Sequence, residues 1–206
     1  LGGRLFDRYP GHPLLATMLT VMAGCMVIIP LSQSIGPLTG ILLILGLAEG
    51  SLDAGVNTLL VWLYPTGLAP WMNGLHFAFG LGALASPLVV SSAFDGGGLK
   101  EAYWILSALV LPAILFVLVL PSPAIAAHAR KGELKLADHR STVLLIGALL
   151  FAAVGAEAGY GNWIFTYALN QNLATEAEAA ILTSTFWGAF TFGRLLGIPL
   201  AARCRT

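Results

Sequence analysis

Apolar residues occur along this chain in six long stretches, separated by short polar segments or by segments rich in glycine and proline. The stretches cover residues 13–31, 38–63, 71–94, 102–120, 142–169 and 179–202. An α-helix needs about 20 mostly apolar residues to cross the hydrocarbon core of a bilayer. The pattern therefore predicts an all-α polytopic membrane protein with six transmembrane helices, and a lipid bilayer as its surroundings.

Composition and charge agree with a membrane protein. Hydrophobic residues make up 57% of the chain and charged residues 10%, against roughly 25% charged residues in ordinary soluble domains. No charged residue occurs from residue 9 to 48, from 54 to 94 or from 102 to 129, whereas a soluble core has loops about every dozen residues. The net charge is zero, so no basic surface predicts a nucleic-acid partner.

Basic residues are distributed unequally between the two sets of connections. One set, which begins with residues 1–12, carries eight lysine and arginine residues, and the opposite set carries only Lys100. Because short loops rich in lysine and arginine stay in the cytoplasm, residues 1–12, residues 121–141 and the C-terminus are predicted to be cytoplasmic. Aromatic residues near the second connection predict a belt at the membrane interface: Trp62, Tyr64 and Trp71.

The second span contains three polar side chains at spacings of four residues, namely Glu49, Asp53 and Asn57. This spacing places them on one face of a helix. Ionisable groups inside a membrane are costly and usually functional, so this face is predicted to line water or substrate. The alternative is a buried salt bridge that joins two helices.

Small residues form stripes on two of the predicted helices and predict close packing against neighbouring helices. The stripes are Gly46, Gly50 and Ala54 in the second span, and Gly74, Ala78, Gly82 and Ser86 in the third.

The third span carries Asn73 and His76 on one face, at about the depth of Asp53. A carboxylate and an imidazole at one depth can relay a proton or bind hydroxyl groups. The alternative is that the imidazole bonds only to a neighbouring backbone carbonyl.

The fifth span places Glu157 near mid-membrane, followed on one face by Tyr160, Trp163 and Tyr167. Aromatic rings beside a carboxylate suit a sugar, because the rings stack on its C–H face while polar groups bond to its hydroxyls. The alternative is an aromatic belt at the outer interface, which suits Tyr167 best.

The sixth span carries Thr183, Trp187, Phe190 and Arg194 along one face. Arg194 lies inside the span, and a charge there requires a partner. It is predicted to pair with a carboxylate on another helix, and the alternative is that it snorkels to the cytoplasmic interface.

Two similar stretches stand near the two ends of the chain. Gly3-Arg4-Leu5-Phe6-Asp7-Arg8, followed by Gly11-His12, resembles the loop motif between helices 2 and 3 of the major facilitator superfamily. The stretch that ends at Arg203 resembles the corresponding loop between helices 8 and 9, with Ala202 in place of the aspartate. The resemblance implies a central fragment, helices 3–8 of a twelve-helix fold, with two helices upstream and four downstream.

The resemblance also implies three regions. Residues 1–120 would hold helices 3–6 of the N-terminal bundle, residues 121–141 a cytoplasmic linker, and residues 142–206 helices 7 and 8 of the C-terminal bundle.

A narrower resemblance is to the fucose-permease-like branch of the superfamily, which contains proton-linked sugar permeases and sodium-dependent glucose transporter-like members. It rests on four short motifs in order: Leu52-Asp53-Ala54-Gly55-Val56-Asn57, Asn73-Gly74-Leu75-His76, Glu157 with Trp163 and Tyr167, and Phe186-Trp187-Gly188 with Gly193-Arg194.

The implied function is secondary active transport of a sugar or a similar polar solute by alternating access. The chain is expected to be no enzyme, to act as a monomer in a bacterial inner membrane or a plasma membrane, and to hold no metal or cofactor except H⁺ or Na⁺ as the coupling ion. Asp53 is expected to bind the ion or substrate, with Asn57, Asn73 and His76 as hydroxyl partners and Glu157 as the second acid. Arg4, Asp7 and Arg8 are expected to form a cytoplasmic gate. The alternatives are an exporter of drugs or metabolites, and a membrane enzyme or non-transporting scaffold.

Overall fold

Six long α-helices make up most of the computed structural model, which describes Phe6 and residues 8–94, 98–123 and 140–203. They are α1 (Gly11–Ile28, extended by a 3-10 turn, Ile29–Leu31), α2 (Ile35–Leu63), α3 (Leu68–Phe94), α4 (Leu99–Val119), α5 (Arg140–Asn170) and α6 (Glu176–Arg203). Their ends lie within three residues of the predicted spans. Successive helices run antiparallel, and we call the end that holds the start of α1 and the α2–α3 turn the basal end.

The all-α membrane architecture is confirmed, with one difference in the sixth helix. By length and composition α1 to α5 are apolar enough to cross a membrane. Helix α6 is as long as the others but carries more polar residues, including Thr183, Ser184, Thr185 and Thr191. The hydroxyls of Thr183 and Thr191 donate to carbonyls four residues earlier, at 2.9 and 2.7 Å, so they need no water.

Helices α1 and α4 are joined by hydrogen bonds along their whole length. Toward the distal end, the Trp104 indole donates to the Val27 carbonyl at 3.3 Å and the buried Ser107 hydroxyl donates to the Ala23 carbonyl at 3.0 Å. At the basal end, His12 Nδ1 donates to the Leu120 carbonyl at 3.0 Å. Hydrogen bonds between helices hold them together in lipid, where apolar burial gives little driving force. Helices α1 and α4 therefore form one unit.

The most extensive helix contact is between α3 and α6, which we call the α3–α6 seam. It is formed by Asn73, Gly80 and Leu84 of α3 and by Ser184, Thr191 and Gly197 of α6. Helix α3 belongs to the first predicted bundle part and α6 to the second, so the seam joins the two.

A small apolar cluster lies at the basal end, where Phe6, Leu15 and Leu59 are buried together. Trp62, one of the predicted belt residues, packs against this cluster. The other two belt residues stack on each other, with Tyr64 and Trp71 ring centroids 4.3 Å apart. The stack closes the α2–α3 turn.

Most apolar side chains point away from the protein. In the five spans, between 0% and 28% of the residues are buried, which fits helices whose outer faces contact lipid. The predicted small-residue stripes are not packed among the described residues, since a β-carbon at Gly46, Gly50, Gly74 or Gly82 would have nothing within 4 Å. Another helix approaches α3 closely at Gly80 instead, where a β-carbon would overlap with the Thr191 side chain of α6.

Candidate functional site

Helix α2 presents its polar stripe as predicted, and two of its members bond to each other. The Asn57 amide donates to the Asp53 carboxylate at 3.0 Å and to the Asp53 backbone carbonyl at 2.9 Å. Both bonds lie within α2, so among the described residues the structure gives no support to the alternative of a salt bridge between helices. Asp53 and Glu49 are exposed, and the Asp53 carboxylate keeps an oxygen for a ligand.

The α3–α6 seam places the site residue Asn73 at its basal end. A β-carbon at Gly197 would lie 2.9 Å from Asn73 Oδ1, so the amide rests on the bare backbone of α6. The Asn73 side-chain nitrogen donates to the Ala69 carbonyl at 3.0 Å. Further along, the Ser184 hydroxyl donates to the Leu84 carbonyl at 3.3 Å, and the seam thus extends along much of both helices.

Aromatic rings fill the middle of the seam. The Phe79 ring of α3 meets Trp187 and Phe190 of α6 edge to face, with centroid distances of 5.9 and 6.4 Å. This arrangement is favourable for aromatic pairs. Trp187 also fills the space above Gly161 of α5, where a β-carbon would come within 2.7 Å of the indole. The spacing in the sequence predicts that Trp187 and Phe190 share one face of α6. Nothing in the sequence predicts that Phe79 of α3 packs against that face.

His76 of α3 and Arg194 of α6 line the same cavity at the basal end. The charges of Asp53 on α2 and Glu157 on α5 also act on the His76 imidazole, from outside the lining of that cavity. His76 and Glu157 are both partly buried. The contact that the structure shows therefore joins two of the predicted charged residues, one from each predicted bundle part.

Arg194 borders a cavity of about 980 Å³ at the basal end, between α3 and α6. Asn73 and His76 also line this cavity, together with the α2–α3 turn. The carboxylate partner predicted for Arg194 is not seen among the described residues. Its guanidinium lies instead over the Phe190 ring, 5.0 Å from the centroid, where the face of the ring attracts the cation.

The predicted aromatic face of α5 lines a second cavity, of about 1070 Å³, between α5 and α6. Tyr160, Trp163 and Tyr167 are on its wall, exposed by 70%, 67% and 60%. Glu178 at the distal end of α6 also borders it. The structure therefore places Trp163 away from the His76 region, on a separate aromatic surface of the same helix that carries Glu157.

The predicted gate residues are only partly described. Arg4 and Asp7 lie outside the described residues, and Arg8 is exposed. Phe6, which lies between Arg4 and Asp7, is the residue that sequence reasoning missed, because it is 1% exposed and packs on Gly55 of α2. The sequence feature that points to burial of Phe6 is its large apolar side chain, which lies between charged residues.

The groups around His76 have a chemistry that suits a polar solute or a cation. Two carboxylates accept hydrogen bonds or bind cations, an imidazole exchanges protons near neutral pH, and Asn57 and Asn73 supply amides that donate and accept. No group of three or more histidine, cysteine or acidic side chains arranged to hold a metal ion is found within the described parts of the chain.

Comparison with known proteins gives one family match and several relatives. The family model described as Major Facilitator Superfamily matches residues 1–205. Sodium-dependent glucose transporter 1 of Danio rerio is 31% identical over 98% of this chain and 41% of its own length, and that of Xenopus laevis is 28% identical over 98% and 47%. Major facilitator superfamily domain-containing protein 4A of Homo sapiens is 24% identical over 100% and 59%.

The chain thus spans about half the length of the curated relatives it matches. No solved structure matches it significantly.

Proposed function

The chain belongs to the major facilitator superfamily, and on that basis we propose that the whole protein takes up a sugar or a similar polar solute by cation-coupled alternating access. Membership in a transporter family, with relatives named as transporters, places it among transporters and not among enzymes. The identity of the solute, the identity of the coupling cation and the direction of transport are proposals.

The observation that supports the proposal is the cavity that Asn73, His76 and Arg194 line together, with the charges of Asp53 and Glu157 within electrostatic reach of His76. With His76 neutral, the two carboxylates and the guanidinium leave one net negative charge, which one monovalent cation neutralises. A charge buried near a bilayer midplane is costly unless it is compensated. Binding of H⁺ or Na⁺ at Asp53 therefore stabilises the closed arrangement of the two bundle parts.

Coupling follows from where these groups are located. Asp53 and His76 belong to the first bundle part, and Glu157 and Arg194 to the second. When the bundle parts rock against each other around a central site, the distances from His76 to the second pair change, and the affinity for the cation changes with them. The seam is the contact across which this motion occurs.

A sugar fits the uncharged part of the site. Asn57 and Asn73 bring amides near the acidic groups, and amides and carboxylates are the usual partners of sugar hydroxyls. Tyr160 and Trp163 line the separate cavity between α5 and α6, where their ring faces offer a second surface on which a sugar stacks. The curated relatives named as sodium-dependent glucose transporters have the same substrate class in their names.

The proposal includes the orientation and the gate. The basal end is the cytoplasmic side, because the basic residues concentrate in its connections. Arg4, Asp7 and Arg8 form the latch there, and the transporter works as a monomer.

The test uses the full-length protein in proteoliposomes with an imposed Na⁺ or H⁺ gradient. Asp53→Asn keeps the size of the side chain and removes its charge, so gradient-driven accumulation of radiolabelled glucose should fall at least tenfold while sugar counterflow without a gradient persists. Glu101→Gln, at the exposed distal end of α4, is the matched control. Wild-type accumulation by Asp53→Asn would exclude Asp53 as the coupling group.

A second measurement separates uptake from export. Cells that lack the full-length protein should lose sugar uptake if the proposal holds. If they keep uptake and instead become sensitive to apolar drugs, the exporter alternative is correct.

A further inference from the structure

Phe6 and Gly55 make the tightest contact between the N-terminal loop and a helix. Phe6 is the only large side chain, within the described part of the chain, with less than 2% of its surface exposed. Its ring lies so close to α2 that a β-carbon at Gly55 would overlap with it. We propose that this contact positions α2, and through it Asp53 and Asn57, for binding; the role of those two residues rests on the proposed function.

Helix α2 has few fully buried residues. Only Ala48, Gly55 and Leu59 are buried along its 29 residues. Two of these are buried at the basal end, where Gly55 lies beneath Phe6 and Leu59 belongs to the same apolar cluster. The ring of Phe6 therefore sets the rotation and depth of the basal half of α2 together with the packing of α2 on α1.

The geometry of an α-helix links this contact to the site. Asp53 and Asn57 lie two residues before and two residues after Gly55, and two residues correspond to about 200° around the helix axis. Both side chains therefore project from the face opposite Phe6. A displacement of α2 away from the ring moves Asp53 and Asn57 directly toward the groups they face.

The start of α1, five residues after Phe6, is itself anchored. The backbone N–H of His12 donates to the Ser122 hydroxyl at 3.0 Å, and His12 Nδ1 donates to the Leu120 carbonyl at 3.0 Å. A β-carbon at Gly11 would come within 2.7 Å of the Leu59 side chain. The start of α1 is thereby fixed both to the end of α4 and to α2, and it limits how far Phe6 can move from Gly55.

The first test is a size exchange in the full-length protein. Gly55→Ala places a methyl group where the Phe6 ring lies, so α2 must move away from the ring. A misplacement of about 1 Å lowers the rate at a functional site by up to about 100-fold. We expect about a tenfold rise in the cation concentration that half-saturates uptake, with a smaller change in maximal rate. Gly55→Ala combined with Phe6→Leu should return to within about threefold of wild type, since the smaller side chain frees the space.

Gly40→Ala is the matched control, because Gly40 is on the same helix and nothing lies within 4 Å of its β-carbon position. A double variant as impaired as Gly55→Ala alone would overturn the proposal. It would equally be overturned if Gly55→Ala lowered only the amount of folded protein and left half-saturation unchanged.

The second test does not depend on transport. In a full-length protein without native cysteines, Asn57→Cys is labelled by a small water-soluble thiol reagent. Adding Gly55→Ala should change the labelling rate at least threefold, and adding Phe6→Leu as well should restore it. Equal rates in all three proteins would show that Phe6 does not position α2, whatever the transported solute is.

Discussion

Asn73 of α3 rests directly on Gly197 of α6, with only 2.9 Å between Asn73 Oδ1 and the place of a β-carbon at Gly197. The contact closes the basal end of the α3–α6 seam. It also means that one residue belongs both to the candidate site and to the junction between the two bundle parts. Binding at Asn73 and closure of the seam are therefore physically connected.

Replacement of Gly197 by alanine should keep the basal end of the seam open. The added methyl group pushes the Asn73 amide away, so the initial rate of solute uptake should fall at least fivefold, within the range expected for a displacement of about 1 Å. Gly193→Ala is the control on the same helix, because its β-carbon position has nothing within 4 Å. If Gly193→Ala lowered uptake as much as Gly197→Ala, the contact would not be the cause.

Gly80 should be the seam glycine whose replacement costs most stability. A β-carbon there overlaps with the Thr191 side chain and lies 3.2 Å from the Thr191 Cα, so neither helix can yield easily. We expect Gly80→Ala to lower the free energy of unfolding by about 1–3 kcal/mol, measured by thermal unfolding in detergent. Gly82→Ala, whose site is open, should leave the melting temperature unchanged, and equal shifts in the two variants would contradict the seam.

Thr175 and Glu178 cap the distal end of α6 reciprocally. The Thr175 N–H and hydroxyl donate to Glu178 Oε2 at 2.8 and 2.9 Å, and the Glu178 N–H donates to the Thr175 hydroxyl at 3.4 Å. This is a capping box. Thr175→Ala should destabilise α6 by about 1 kcal/mol, seen as faster amide hydrogen exchange in its first turn. Glu176→Gln, in the same turn but outside the box, should exchange at nearly the wild-type rate.

The same cap should depend on pH. Hydrogen bonds from the Thr175 backbone N–H and hydroxyl lower the pKa of Glu178 below its ordinary value. The cap is therefore fully present above the ordinary carboxyl pKa and is lost as the pH falls through the lowered pKa. Amide exchange in the first turn of α6 should quicken in that acidic range. A Glu178→Gln variant should lack this pH dependence, and if it kept the dependence another group would be responsible.

Ser107 should contribute measurably to the α1–α4 unit. Its buried hydroxyl donates to the Ala23 carbonyl at 3.0 Å, and hydrogen bonds between membrane helices contribute about 0.6 kcal/mol on average. Ser107→Ala should lower stability by about that amount in detergent unfolding. Ser92→Ala removes a hydroxyl that bonds only to Val89 of its own helix, and a larger loss there would contradict the assignment.

Much of the fold could be predicted because it depends on the order of residues within single segments of the chain. The lengths of the apolar runs fix the helices to within a few residues, and spacing by four places Asp53 and Asn57 together on α2. Equal depth in antiparallel helices predicts that the charge of Asp53 acts on His76, which it does in the structure. These features depend on one helix at a time, or on two that are adjacent in the chain.

The features that could not be predicted depend on contacts between residues that are far apart in the chain. The sequence contains several small-residue stripes, and nothing local tells which one meets another helix; Gly80 does so because Thr191 is opposite, whereas Gly74 and Gly82 stay open. The sequence alone does not establish the burial of Phe6, because that burial depends on a helix about 50 residues away in the chain.

The limited hydropathy of α6 has a consequence for how the protein is made. A helix rich in hydroxyls and carrying Arg194 partitions into lipid poorly by itself. Its polar surface is covered by α3 at the seam, and its distal end packs on α5. Both of these helices precede α6 in the chain and leave the ribosome earlier. We therefore expect α6 to enter the bilayer against a surface that α3 and α5 already provide, and not as an independent span.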